Sequence, residues 1–141
     1  IDIYFGKYPG IKNYINNVIN FAKKNMYVET LTKRRRLIPE INSNTFQVRN
    51  SSERMAINMP IQGTAADVIK IAMININSEL KNKDLLSKMI IQVHDELIFE
   101  VPKEEIFLME SMLRETMGSA LKLKVPLSVD ISYADNWGDL K

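Results

Sequence analysis

Three groups of side chains in this sequence have the types and spacing to do chemistry. The first is Asp95-Glu96, two adjacent carboxylates between the apolar runs Met89–Val93 and Leu97–Val101. Carboxylates are hard oxygen donors suited to Mg²⁺, which keeps several waters and takes one or two carboxylates together with substrate phosphates. Two such ions can stabilise both the attacking and the leaving oxygen of a phosphoryl transfer. The bland alternative is a solvated turn, since acidic residues are common there. The second group is Arg54, Asn58 and Gln62, four residues apart, which on a helix form one slowly drifting polar stripe. All three donate hydrogen bonds, and the DNA minor groove offers acceptors at similar places on every base pair. Such a stripe would check pair shape without reading sequence; its alternative is a solvent-facing helix. The third is the run Lys33-Arg34-Arg35-Arg36, which could grip phosphates or simply be a solvated basic turn.

The elements that would carry these groups follow from the apolar pattern. Ile11, Tyr14, Ile15, Val18, Ile19 and Ala22 recur at helical spacing, so a helix is expected from Pro9 to Lys24. Tyr27–Leu31 and Leu37-Ile38 read as a hairpin whose polar connection holds the basic run. Residues 41–48 read as a loop around Asn42, Ser43 and Asn44. A long helix is expected from Ser51 to Leu80, capped by Ser51 or Ser52 and kinked or broken near Met59 by Pro60. Two short apolar runs flanking a polar tripeptide make a β-hairpin with Asp95 at its tip. Pro102 ends it, Lys103–Leu121 forms an amphipathic helix, and the alternation of Leu127, Val129 and Ile131 with polar residues reads as a last strand. The fold class is α+β: an antiparallel sheet packed on helices, preceded by helices and a β-hairpin.

Composition narrows the chemistry. The chain has 141 residues, 45% of them hydrophobic and 26% charged, as in ordinary globular proteins. It has no cysteine, which excludes disulfides, thiolate metal sites and a cysteine nucleophile. A single histidine, His94, excludes a zinc site built on several histidines, and also a His-Asp phosphohydrolase, which needs further ones. The net charge of +2 creates no global basic field, so any nucleic-acid contact must be local. The absence of an initiating Met and of a leader suggests a piece of a longer intracellular protein, and abundant Lys, Asn and Ile suggest AT-rich coding.

With these residues in view, a family emerges. Gln92-Val93-His94-Asp95-Glu96-Leu97 resembles motif C of the family A DNA polymerases, and Glu53–Asp67, with Arg54, Asn58, Pro60, Gln62, Gly63, Thr64, Ala65 and Ala66, resembles the segment that precedes it. Tyr8-Pro9-Gly10, Val28-Glu29-Thr30-Leu31, Arg34-Arg35-Arg36 and Asn136-Trp137 resemble further landmarks in the family's order.

The resemblance implies the C-terminal portion of a polymerase domain, with residues 1–50 a helix and β-hairpin region and 51–141 a palm region carrying motif C. It implies that Asp95 is a catalytic ligand of two Mg²⁺ ions, with Glu96 in a lesser metal-binding role and His94 near the primer terminus. Arg54, Asn58 and Gln62 would contact the minor groove of template–primer DNA, and Arg34, Arg35 and Arg36 would lie near the duplex backbone. The primer 3′-hydroxyl would attack the α-phosphate of a deoxynucleoside triphosphate and release pyrophosphate.

The motif A aspartate that shares the ions, and the family's nucleotide-binding helix, have no match in this sequence. The fragment alone is therefore expected not to polymerise, and to self-associate through exposed palm surfaces. Lys33 stands where the family usually has glycine, which suggests a rebuilt or strained turn and an atypical, plastid-type organelle branch, with a bacterial cytoplasmic enzyme as the other setting. The rival reading is a non-catalytic nucleic-acid-binding module that uses the basic run and the donor stripe without metal.

Overall fold

Residues 2–140 are described by the computed structural model, in two compact units covering residues 1–65 and 66–141. Helix α1 (Asp2–Lys7), which sequence periodicity does not reveal, precedes α2 (Pro9–Asn25). Proline at the first position suits α2, because its missing N–H would have no partner there anyway. The helix ends at Met26, which takes a left-handed conformation (φ 64°) and donates its N–H to the Ala22 carbonyl. This is the usual helix-terminating geometry, adopted here without glycine.

Strands β1 (Tyr27–Glu29) and β2 (Arg35–Leu37) form the expected antiparallel hairpin, pairing Tyr27 with Leu37 and Glu29 with Arg35. Its connection is a tight turn followed by a left-handed residue. The Thr30 carbonyl accepts from the Lys33 N–H at 3.0 Å, the Arg34 carbonyl accepts from the Thr30 N–H at 2.9 Å, and Lys33 has φ 69°. A three-residue hairpin loop of this kind ordinarily places glycine at the left-handed position. A side chain there costs about 1 kcal/mol or more. The lysine ammonium meets Glu29 at 2.8 Å, which holds the Glu29 carboxyl below its ordinary range, but the lysine is largely exposed and the pair adds little stability. Lys33→Gly is therefore expected to raise the stability of this unit by about 0.5–1 kcal/mol in equilibrium unfolding. Lys33→Ala keeps the strain, loses the ion pair, and should bring no gain.

Residues 41–48 are not simply a loop. Pro39–Asn42 form a 3-10 turn, and helix α3 (Phe46–Asn82) begins five residues before the expected Ser51. The cause is local: the Ser43 hydroxyl accepts from the Thr45 N–H, and the Thr45 carbonyl accepts the helix's first bond from Arg49. Ser52 is accordingly a buried mid-helix residue rather than a cap. Nor does Pro60 break α3, whose 37 residues run through it. A proline removes one hydrogen bond, and Ala56 and Met59 just before it are buried in a core with Ala22, Val28, Ile38 and Ile41. A methionine such as Met59 contributes about 1.5–3 kcal/mol when fully buried, enough to outweigh a lost hydrogen bond. Tyr14 of α2 adds a hydrogen bond to the Ile57 carbonyl of α3, and partial burial pushes its phenol up from the ordinary value.

In the second unit, β3 (Lys88–Val93) and β4 (Glu96–Glu100) form the expected antiparallel hairpin. One residue too many on β3 makes a bulge between Met89 and Ile91. Helix α4 (Ile106–Gly118) follows a 3-10 turn at Lys103–Glu105, so the helix is shorter than Lys103–Leu121. Its Met109, Met112 and Leu113 meet Ala72, Ile76 and Leu80 of α3 in a second core, against which Met89, Leu97 and Phe99 of the hairpin pack.

The last expected strand is a correction. Leu127, Val129 and Ile131 are more buried than Ser128 and Asp130, so the alternation is real, but among the described residues the segment joins no ladder and the β3–β4 sheet has two strands. Instead Arg114 donates to the Val129 carbonyl at 2.7 Å, and Ile131 packs on the second core. Period-two burial needs only a surface on one side; a strand needs a partner in the sheet plane as well.

Candidate functional site

The carboxylates sit where two strands turn. Val93 pairs with Glu96, which leaves His94 and Asp95 as a two-residue loop. His94 has φ 52° and Asp95 does not share the positive φ, the φ sign pattern of a type II′ turn. Histidine is among the few residues enriched in that conformation, though glycine would meet it at lower cost. Gln92 stabilises the turn: its side-chain amide donates to the His94 carbonyl at 2.6 Å. Sequence reasoning assigned Gln92 no role, and the only signal for it was its place two residues before a turn.

His94, Asp95 and Glu96 are all exposed, and none of their side chains makes a hydrogen bond or ion pair among the described residues. The carboxylate lone pairs are thus uncommitted, while the hairpin below them is fixed by the core through Met89, Leu97 and Phe99. A rigid base under an open tip suits a group that must hold a ligand in a set position. Two carboxylates do not make a complete metal site, and among the described residues no three His, Cys, Asp or Glu come together to hold an ion.

A second brace lies at the other end of β3. The Glu105 carboxylate accepts from the Leu86 N–H, the Ser87 N–H and the Ser87 hydroxyl, the first two at 2.9 Å. The Ser87 hydroxyl first, then the backbone donors, hold the Glu105 carboxyl below its ordinary range. A carboxylate whose pKa is lowered on folding contributes stability above its unfolded pKa, and that contribution is lost as pH falls through the folded value. The stability gap between wild type and Glu105→Gln should therefore be widest near neutral pH and close on acidification below the ordinary carboxylate range. Chemical denaturation of both proteins across that interval measures it.

In the first unit, Arg54, Asn58 and Gln62 stand on α3 as exposed side chains. Each step of four residues advances about 40° around a helix, so the three share one side. None makes a side-chain hydrogen bond or ion pair among the described residues, so their donors are available. The basic run is different. Lys33 and Arg35 both reach Glu29, at 2.8 and 3.5 Å, and the Arg35 guanidinium lies over the Tyr27 ring, 4.5 Å from its centroid. Arg34 donates to the Gly63 carbonyl. Arg36 is exposed and makes no such contact through its side chain. Four consecutive cations in the sequence are therefore not four equivalent ones in the fold.

Comparison with known proteins gives one answer. The family model for DNA polymerase family A matches residues 1–139. The chain is 49% identical over all 141 residues to DNA polymerase I of Bacillus caldotenax, and equally so to that of Bacillus subtilis (strain 168), spanning 16% of the length of each. It is 47% identical over 135 residues to DNA polymerase I of Mycobacterium leprae (strain TN), covering 96% of this chain and 15% of that protein. The solved POL domain of Pol1 from M. smegmatis, in complex with DNA primer-template and dNTP, matches 97% of this chain and 24% of its own. The TM-score is 0.94 and the identity 44%. On the family match and this structural agreement, the chain belongs to the family A DNA polymerases.

Proposed function

We propose that the chain is the C-terminal portion of the polymerase domain of a DNA-directed DNA polymerase. It would take part in adding deoxynucleotides to a primer 3′-hydroxyl during DNA replication or repair. The observation that carries the reading is the exposed, uncommitted Asp95-Glu96 pair on the tip of a hairpin that packs on the second core through partly buried side chains. That donor set fits Mg²⁺, which needs one or two protein carboxylates and completes its shell with water and phosphate. Two bound ions would stabilise the attacking 3′-oxygen and the leaving pyrophosphate.

Asp95 would be the chief ligand contributed by this chain, completed by a motif A aspartate outside it, and Glu96 a lesser one. His94 would lie against the primer terminus, held out by its turn. Arg54, Asn58 and Gln62 would donate to minor-groove acceptors near the new base pair, and the Arg34–Arg36 run would border the duplex backbone. The neighbour from M. smegmatis, solved with primer-template and dNTP, supports these partners. No described helix is long and apolar enough to cross a membrane, and the relatives are bacterial. The bacterial relatives support bacterial cytoplasm as the setting, rather than an organelle matrix. Expressed by itself, the chain would not polymerise, and exposed Ile90, Ile74 and Leu86 would favour self-association.

Primer extension by a full-length polymerase carrying this chain, with Mg²⁺ and all four deoxynucleoside triphosphates, tests the reading. Normal extension by Asp95→Ala would replace it with that of a DNA-binding module.

A further inference from the structure

We propose that Arg34 is a positioning residue for the Gln62 end of the donor stripe, and that Arg36 is the member of the basic run that meets a DNA phosphate. The inference rests on the minor-groove role proposed above for Gln62.

The hairpin tip is seated on one turn of α3. Arg34 donates to the Gly63 carbonyl at 3.0 Å, and the Leu31 N–H donates to the Thr64 hydroxyl at 3.1 Å. That hydroxyl in turn donates to the Pro60 carbonyl. Thr64 is 8% exposed, so its two bonds are partly shielded from water and costly to break, while the Arg34–Gly63 bond is exposed. Gly63 is needed for space rather than for backbone conformation, since no glycine here has positive φ. A Cβ on Gly63 would lie 2.7 Å from the Thr30 methyl and 3.3 Å from an Arg34 nitrogen. The seat therefore requires a bare backbone on the helix side.

Its place on α3 is informative. Pro60 deprives the Ala56 carbonyl of its helix hydrogen bond, and the contacts from the hairpin fall on Gly63 and Thr64, next to Gln62. The hairpin supplies polar contacts one turn beyond the missing bond, on the residues that follow Gln62. The direction in which Gln62 points is thereby set by residues about thirty positions away in sequence. A guanidinium engaged on a backbone carbonyl is poorly placed to neutralise a phosphate as well. Arg36 has no such engagement among the described residues.

The test uses a full-length polymerase carrying this chain and two readouts: extension of matched against mismatched primer termini, and the salt dependence of template–primer binding. Gln62→Ala serves as the benchmark for the first. Gly63→Ala is expected to lose discrimination as Gln62→Ala does, by about tenfold, because small displacements of a positioned group cost that much or more. Thr30→Ser combined with Gly63→Ala should restore most of it, since serine removes the clashing methyl and keeps the hydroxyl. Arg36→Gln should lower the slope of log affinity against log salt by about 0.9, while Arg34→Gln leaves it at the wild-type value.

The proposal is overturned if Arg34→Gln lowers the slope by that amount. It is overturned equally if Gly63→Ala discriminates like wild type while Gln62→Ala does not, or if the double variant fails to recover. A silent Gln62→Ala would instead remove the minor-groove reading beneath it, and the positioning role with it. Should Gly63→Ala not fold, the double variant and the salt slopes decide.

Discussion

A full-length polymerase carrying Asp95→Ala should extend a primer at least about a hundredfold more slowly than wild type, while binding template–primer as tightly or slightly more tightly. The two halves of this expectation have different causes. Removing a carboxylate that holds catalytic ions takes away stabilisation of charge that develops only in the transition state, an effect of about 3 kcal/mol or more. Removing a negative charge that faces a polyanion costs no phosphate contact, so the ground-state complex should not weaken. Asp95→Asn should behave like the alanine variant, because it keeps the shape and loses only the charge. Glu96→Gln should fall less. Since Asp95 has no side-chain partner among the described residues, neither aspartate variant should alter the melting temperature. A loss of activity with an unchanged melting curve would therefore report chemistry and not unfolding. Equal losses of DNA affinity and activity would contradict the metal-ligand assignment.

The second large effect concerns stability. Ile76 is completely buried, and its cluster includes Met109, Met112 and Leu113 of α4, with Met89, Leu97 and Phe99 of the hairpin packed around it. Ile76→Ala should destabilise this unit by about 2–5 kcal/mol, the sum of lost burial and an incompletely closed cavity. The flexible methionines should collapse partly into the gap and keep the value toward the lower end. Ile74, two positions away and exposed, is the control: Ile74→Ala should change stability by less than about 0.5 kcal/mol. Urea unfolding of both variants separates them. Similar values would mean that the second core is not packed as described.

The parts of this fold that could be read from sequence are those whose cause is local. The spacing of Ile11, Tyr14, Val18 and Ala22 gives α2, and the apolar runs around His94-Asp95-Glu96 give the β3–β4 hairpin, because neighbours in sequence decide both. Helix α1 was missed because six residues including Gly6 are too few to show a period. Pro60 suggested a kink or a break, and the break does not occur because of what packs beside it, which the sequence does not show. The segment Leu127–Ile131 was read as a strand because alternation reports burial on one face and is silent about ladder partners.

The site divides in the same way. Asp95, Glu96 and the Arg54–Gln62 stripe are visible as residue types at short spacing. The groups that hold such residues in place are not, since Glu105 reaches Ser87 across 18 positions and Thr64 reaches Leu31 across 33. The differing tasks within Lys33–Arg36 depend on Glu29, Tyr27 and Gly63, and no charge count could separate them.

The left-handed turns bear on how much stability the chain could still gain. Met26, Lys33, Asp84 and His94 all have positive φ, and none of the chain's glycines does. A residue other than glycine at such a position leaves a small deficit that the rest of the fold tolerates. Such positions become a reserve: three lie away from the carboxylate tip and are open to restoration. His94 is not, because glycine there would relax the backbone and delete the side chain proposed to meet the primer. Glycine at Lys33 alone would thus add thermal margin with the hairpin tip at Asp95 untouched.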